Sequence, residues 1–251
     1  MTIFDLQDVA KVFASVDWIV PPYIQIGILR QLASEIHTTA PTDKFKVLDL
    51  KLPQLYNESD LAVMLLERYR KTPHVVDFKT EIAEAIEASQ MGLLHAAVAT
   101  LLPVLEGIIR KIADSRGQSI GSGTSKLVDE VEELIAQEKS LAPHFHERVI
   151  MLEAFRDFLK NRLLINTDMY NGVGNLNRHG VLHGVFSKYG HDFNFYRLIS
   201  FLDLLCFIIA VHKRGISILA PDVTEDSERL ADYYRRIKGL SHITAIVGAR
   251  L

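Results

Sequence analysis

The chain has 251 residues, of which 48% are hydrophobic and 24% charged, which suffices for one large helical domain or two small ones. Its net charge of −3 argues against a dedicated nucleic-acid-binding protein, which usually carries a strongly basic face. The charge is uneven, because residues 161–251 have 11 Lys and Arg against 8 Asp and Glu, whereas residues 1–160 have 17 against 23.

The first 76 residues are predicted to form an additional N-terminal helical region. Apolar residues recur with helical spacing over 5–16, 23–36 and 59–70. Before the third of these, the run Val47-Leu48-Asp49-Leu50 fits a strand or an extended linker, because prolines and polar clusters surround it. Thr72-Pro73 breaks the chain again, and we place a domain boundary there, between residues 1–76 and 77–251.

The second part of the chain has a stronger helical pattern. Predicted helices cover 77–88, 91–113, 126–139, 143–164, 193–213 and 224–238, and a short helix follows the polar loop 166–174. The glycine-rich stretch 117–126 superficially suggests a phosphate-binding loop. It lacks the Gly-Lys-Ser/Thr ending and follows no strand, so we interpret it as a plain connection. The pattern as a whole predicts an all-α fold.

Two features bear on the cellular location. The start of the chain, Met1 to Asp5, has an acid where a secretory signal would carry basic residues. The longest apolar run, near Leu198 to Val211, is interrupted by Asp203 and falls short of the roughly 18 to 20 residues that span a membrane. We therefore expect a cytoplasmic protein without a membrane segment. The single cysteine, Cys206, is expected to pack as a small hydrophobic residue.

The candidate chemistry lies in residues 177–184, Asn-Arg-His-Gly-Val-Leu-His-Gly. If Asn175 or Asn177 caps a helix there, the two histidines, four residues apart, share one helical face with Arg178 beside them. Backbone N–H groups at the helix start would attract a phosphate. A histidine can abstract the ribose 2′-hydroxyl proton or protonate the leaving oxygen, and an arginine can stabilise the developing charge. This chemistry needs no metal ion and no other cofactor.

A family resemblance rests on the same residues. Residues 178–183, Arg-His-Gly-Val-Leu-His, resemble the Arg-(four to six residues)-His motif of the HEPN superfamily, with a polar residue directly after the arginine. Residues 101–110 resemble an earlier core helix of such proteins, and the resemblance covers roughly residues 77–213. It implies an up-and-down helical bundle that forms a homodimer, in which two motifs face each other across a cleft.

The resemblance also implies a function and a role for each site residue. Many family members are metal-independent ribonucleases of bacterial defence or toxin systems. By this analogy, Arg178 binds or polarises the scissile phosphate, with Asn177 as a further phosphate contact. His183 acts as acid or base and His179 assists, while Glu106 orients Arg178 or His183. The expected function is therefore a metal-independent endoribonuclease whose partner is RNA.

Two other interpretations of the motif remain open. His179 and His183 have the spacing of two zinc ligands on a helix, but glycine occupies position 180, where a metalloprotease helix has its glutamate. A zinc site would also need a further ligand, such as His191 or Asp192. The stretch His144-Phe145-His146-Glu147 also contains two potential zinc ligands of the same type, His144 and His146. These residues are two positions apart, and residues with that spacing do not share a helical face. Alternatively, the polar residues of the motif only satisfy buried carbonyl groups and hold the preceding loop.

The family includes non-catalytic binding proteins, which supplies a rival function. The chain would then be a catalytically idle immunity protein or antitoxin that binds and blocks a nuclease toxin. The net charge of −6 over residues 1–160 fits docking to a basic nuclease. The charge favours this rival, whereas the intact motif favours the enzyme.

Overall fold

The computed structural model describes residues 5–118, 123, 125–141, 146–213 and 216–248, with side chains up to residue 241. Within these ranges the chain has eleven α-helices and no strand, and the structure is 74% helical. The predicted all-α fold class is therefore confirmed. The helices are α1 (Leu6–Ala14), α2 (Ile26–Thr38), α3 (Lys44–Leu55), α4 (Glu58–Val63), α5 (Lys79–Gln90), α6 (Leu94–Ser115), α7 (Ser125–Leu141), α8 (His146–Phe158), α9 (Arg178–Leu182), α10 (Asp192–His212) and α11 (Glu225–Gly248).

Two of the helices continue as π-helical turns. Helix α4 continues through Met64–Tyr69, and α8 continues through Leu159–Leu163. Such turns are rare and often lie at functional sites. The turn that ends α8 leads directly into the loop before the motif.

Residues 47–50 belong to helix α3, so the prediction of a strand or an extended linker is wrong. Leu48 and Leu52, four residues apart, are both fully buried and form one apolar face of this helix. That face packs against α2 and α10. Because packing of an apolar face provides most of a helix's stability, it outweighs the unfavourable Pro53 in the last turn.

Helix α10 is the central helix of the bundle. Seventeen of its 21 residues are buried, and it contacts α3, α6 and α8. A helix surrounded by other helices is apolar on all sides, which explains the long hydrophobic run in the sequence. Cys206 is fully buried in it, as predicted for a small hydrophobic residue.

Helix α10 is also long and apolar enough to cross a membrane, by length and composition alone. The apolar segment is therefore longer than the run from Leu198 to Val211 that the sequence indicates, and Asp203 does not interrupt it. The qualifying window has a mean hydropathy of 1.8, and 83% of it is buried inside the fold. Burial against the neighbouring helices accounts for the apolar composition.

Side chains of the N-terminal region reach the buried face of α10. The indole N–H of Trp18 donates a hydrogen bond to Ser200 Oγ at 2.9 Å, and the Tyr56 hydroxyl lies 2.7 Å from the same oxygen. The Tyr69 hydroxyl donates to the Asp203 carboxylate at 2.6 Å. Residues on both sides of the predicted boundary near residue 76 thus contribute to one hydrophobic core.

Candidate active site

The motif forms a short helix, α9, whose first backbone groups are capped by Asn177. The Asn177 side-chain oxygen accepts a hydrogen bond from the Gly180 N–H at 2.8 Å. The side-chain amide group donates to the carbonyl oxygens of Arg162 and Ile165 at 3.0 and 2.8 Å. Asn177 therefore joins the start of α9 to the end of the preceding helical segment, and the predicted cap is present at this residue.

The expectation that Asn177 also contacts phosphate is not compatible with this geometry. Its side chain is fully buried, and both ends of the amide are already hydrogen-bonded within the protein. A ligand would have to displace those bonds, which would leave buried carbonyl groups unsatisfied. We therefore assign Asn177 a positioning role and not a phosphate contact.

Arg178 pairs with Glu106 of α6, although 72 positions separate them in the sequence. Arg178 Nε lies 2.6 Å from Glu106 Oε1 and donates a hydrogen bond to it. The Arg178 side chain is 24% exposed, and Arg110 approaches the other oxygen of Glu106 at 3.9 Å. Among the described residues, no hydrogen bond engages the two terminal nitrogens of Arg178. The carboxylate thus fixes the guanidinium from one side and leaves its outer edge available.

The two histidines of the motif lie on one face of α9, as their spacing predicts. The rings of His179 and His183 are stacked, with centroids 5.8 Å apart and an angle of 10° between the ring planes. His183 is exposed at the end of the helix, while His179 is partly buried. Two parallel imidazoles beside an arginine are suited to moving protons at a phosphodiester.

The environment of His179 favours its neutral form. Burial lowers the pKa of His179 below the usual 6.5, and the positive charges of Arg178 and His183 lower it further. Glu106 opposes this effect by raising the pKa. A neutral imidazole near pH 7 can accept a proton, which is the property of a general base.

Two glycines allow the chain to fold back after α9. At Gly180 a Cβ atom would lie 2.3 Å from Cδ2 of the Phe186 ring, so only glycine lets this ring pack against the helix. Gly184 has a φ of +70°, the left-handed conformation that commonly follows a helix end. The Phe186 N–H donates to the Gly180 carbonyl at 2.8 Å, which closes the turn.

The loop that follows is anchored at three backbone carbonyls. Asn175 donates to Lys188 O at 3.2 Å, and Asn194 donates to Tyr189 O at 2.7 Å. The His95 Nε2 lies 2.9 Å from Ser187 O, and since a carbonyl only accepts, this nitrogen carries the proton. Hydrogen bonds therefore hold the chain both before and after the motif.

The site lies on an open face of the molecule. Two cavities of about 450 and 210 Å³ lie elsewhere, one between α1 and α8 and the other beside α7 and the end of α10. Exposed apolar side chains, Leu182 and Val185, flank His183. An open surface of this kind suits a large partner better than a small enclosed ligand.

The zinc interpretation gains no support from the arrangement. Across the part of the chain that the structure describes, no three His, Cys, Asp or Glu side chains are grouped so that they could hold a metal ion. His191 stacks on Phe193 and immediately precedes α10, and it forms no such group with His179 and His183. The other histidine-rich candidate begins at His144, and this residue and much of the glycine-rich stretch lie outside the described residues.

Sequence reasoning missed a buried polar network beneath the loop that leads to the motif. Its members are Asp17, Arg162, Asn194 and Arg197, which are joined by hydrogen bonds. Arg197 is fully buried within α10, and a charged residue inside an otherwise apolar helix was the one local signal. Asp17 and Arg162 give no such signal, because these two residues pair with each other across 145 positions of the sequence.

Comparison of the chain with family models, with curated proteins and with solved structures gave no match. The likeness to HEPN proteins therefore rests on the motif and the flanking residues of this sequence alone.

Proposed function

We propose that the chain is a HEPN-like, metal-independent endoribonuclease. The observation that carries the proposal is the arrangement at α9, where Arg178 is held by Glu106 beside the parallel imidazoles of His179 and His183. An oriented cation and two imidazoles supply the groups that RNA cleavage by the ribose 2′-hydroxyl requires.

In the proposed reaction, neutral His179 accepts the proton of the 2′-hydroxyl as its oxygen attacks phosphorus. The bond from phosphorus to the 5′-oxygen of the next nucleotide breaks, and His183 in its imidazolium form protonates that oxygen. The products are a 2′,3′-cyclic phosphate and a 5′-hydroxyl. Arg178 stabilises the negative charge on the non-bridging oxygens through its outer nitrogens, while Glu106 holds it in place.

The biological setting and the assembly belong to the same proposal. An open site flanked by exposed Leu182 and Val185 suits a homodimer in which two copies of α9 enclose the RNA. By the resemblance, such an enzyme is part of a bacterial defence or toxin system, and we propose that it acts in the cytoplasm.

Purified protein incubated with total RNA in EDTA tests the proposal. We expect wild type to cleave, and Arg178→Ala and His183→Ala each to lose about 100-fold or more of the rate. Matched controls are Arg116→Ala and His191→Ala. Arg116 is 26% exposed and ion-paired with Glu130, much as Arg178 is with Glu106, but it lies away from the motif. Intact RNA with wild type, or equal loss in the control variants, would contradict the proposal.

One observation favours the rival, an immunity protein or antitoxin that blocks a nuclease. The acidic excess lies in residues 1–160, which include Glu106, the residue whose carboxylate offsets the charge of Arg178. The same assay separates the two functions, because the rival leaves RNA intact in every variant.

A further inference from the structure

We propose that Asp17, in the N-terminal region, is a positioning residue for the motif helix. It acts through Arg162 and Asn177, and its effect on catalysis rests on the proposed ribonuclease function. Residues 1–76 then contribute to the candidate site, although the family resemblance begins only near residue 77.

Asp17 has an unusual backbone conformation that directs its carboxylate at the loop before the motif. It lies just after α1 with a φ of +54°, a left-handed conformation that a non-glycine residue adopts only at some cost. Its side chain is only 8% exposed. One carboxylate oxygen accepts from Arg162 Nε at 2.6 Å, and the other accepts from the Val173 N–H at 2.8 Å.

Arg162 transmits this contact to the cap of α9. It lies in the π-helical turn that ends α8, and its Nη1 also donates to Asn171 Oδ1 at 2.9 Å. Its own carbonyl oxygen accepts from the Asn177 amide at 3.0 Å. The carboxylate of Asp17, the backbone of Arg162 and the cap of the motif helix are thus joined through two consecutive contacts.

Arg197, in the buried helix α10, also binds the chain at Asp17 and at the loop before the motif. Its two terminal nitrogens donate to the carbonyl oxygens of Asp17 at 3.1 Å and Val173 at 2.9 Å, and it also donates to Asn194 Oδ1. Burial lowers the pKa of Arg197 to about 10, so the guanidinium stays charged near pH 7. Asp17 and Val173 are therefore fixed to each other both directly and through α10.

The consequence concerns the geometry of Arg178. Glu106 belongs to α6, whereas Arg178 belongs to α9, whose start is set by Asn177. If the loop before Asn177 shifts, α9 shifts relative to α6, and Arg178 and the two imidazoles lose their alignment. Displacements of about 1 Å can reduce an enzyme's rate by up to about 100-fold without a change in fold.

The substitution Asp17→Asn separates positioning from bulk packing. It keeps the size of the side chain and an acceptor for the Val173 N–H, but it removes the charge that holds Arg162. Glu153→Gln is the matched control. Both residues line the cleft of about 450 Å³ between α1 and α8. Glu153 pairs with Lys139, and no hydrogen bond or ion pair found among the described residues joins it to the loop before the motif.

Two readouts on the full-length protein test the inference. The first is hydrogen exchange of the Gly180 amide, which we expect to be about 10-fold faster in Asp17→Asn, while α6 and α10 exchange as in wild type. The second is steady-state cleavage of RNA, for which we expect kcat to fall about 10-fold and KM to change by less than about 3-fold. Glu153→Gln should match wild type in both, and Arg162→Lys should behave like Asp17→Asn if that variant does not fold.

Unchanged exchange at Gly180 in a folded Asp17 variant would overturn the proposal. Equal acceleration throughout α6 and α10 would also overturn it, because Asp17 would then only stabilise the fold. If wild type does not cleave RNA, the ribonuclease function fails, but the exchange measurement still decides whether Asp17 positions α9.

Discussion

At the scale of single residues, the protonation state of His179 determines whether this residue can act as the base of the proposed reaction. Its pKa lies below 6.5, because of burial first and the charge of Arg178 second. In the proposed reaction His179 can therefore accept a proton near pH 7. On the acid side of the pH–rate profile, the cleavage rate should rise with pH through the lowered pKa of His179 and then level off. Because the pKa of His179 is lower in the folded protein than in the unfolded chain, the unfolded chain binds a proton at this residue more readily. The free energy of unfolding should therefore decrease as the pH falls from 6.5 towards the pKa of His179 in the folded protein.

An NMR titration of the His179 ring measures this property directly. We expect a pKa below 6.5 in wild type and an upward shift in Arg178→Gln, where a positive neighbour is lost and Glu106 remains. The control Arg116→Gln should leave the titration unchanged. A wild-type pKa at or above 6.5 would show that His179 is not held neutral.

The close packing of Gly180 against the Phe186 ring gives another prediction for a single residue. An alanine there places its Cβ against the Phe186 ring, 2.3 Å from Cδ2, so the ring must move. We expect Gly180→Ala to lower the free energy of unfolding by about 1 to 3 kcal/mol, as overpacking does, in urea denaturation. Gly27→Ala is the control, since no heavy atom lies within 4 Å of its Cβ and alanine favours a helix.

The double variant Gly180→Ala, Phe186→Ala checks the cause of that loss. If the clash with the ring is responsible, adding Gly180→Ala to Phe186→Ala should cost little more stability. Full additivity of the two substitutions would show that Gly180 is required for another reason.

The residue scale also shows which parts of the site could be predicted from the sequence. The cap at Asn177 and the shared face of His179 and His183 follow from spacings of three and four residues, which a helix fixes locally. The contact between Arg178 and Glu106 was expected only through the family resemblance. The contact from Asp17 was not foreseen, because no periodicity connects residues so far apart.

At the scale of elements, α9 is a five-residue helix that depends on its cap and its neighbours. Asn177→Ala removes the acceptor for the Gly180 N–H and both donors to the carbonyls of Arg162 and Ile165. Asn177→Asp keeps the acceptor but removes both donors. Because each buried carbonyl left unsatisfied costs about 1 to 3 kcal/mol, we expect Asp to destabilise nearly as much as Ala in chemical denaturation.

The two asparagine variants distinguish capping from bridging. If Asn177→Asp is as stable as wild type, capping is the whole role of this residue, and the link from Arg162 to α9 is unimportant. Loss of stability in Asn177→Ala but not in Asn177→Asp would lead to the same conclusion. It would also count against the proposal that Asp17 positions α9 through Arg162 and Asn177.

Helix α3 shows why one element could not be predicted correctly. Its sequence contains Pro53 and polar residues, which favour a linker by local preference. Its apolar residues Leu48 and Leu52 gain their stabilisation from α2 and α10, and those contacts are not visible in a window of sequence. Helix α10 differs in this respect, because its own run of apolar residues predicted a helix over 193–213, and only the structure shows that neighbouring helices bury it.

At the scale of the whole molecule, the N-terminal region and the motif-bearing region share one core. Trp18, Tyr56 and Tyr69 all bond to side chains on the buried face of α10. We therefore expect a fragment of residues 77–251 to lack a cooperative unfolding transition, because it exposes that face of α10. The full-length chain is the control, measured by circular dichroism during thermal unfolding. Cooperative, native-like unfolding of the fragment would show that the two regions fold independently.

The ribonuclease proposal is tested most directly by cleavage of one RNA oligonucleotide and its 2′-deoxy counterpart in EDTA. We expect wild type and Arg116→Ala to cut the RNA and leave 2′,3′-cyclic phosphate ends, while the 2′-deoxy strand stays intact. Arg178→Ala should lose about 100-fold or more of that rate. Cleavage of the 2′-deoxy strand, or an unchanged rate in Arg178→Ala, would contradict the assignment of this Arg/His site to RNA cleavage.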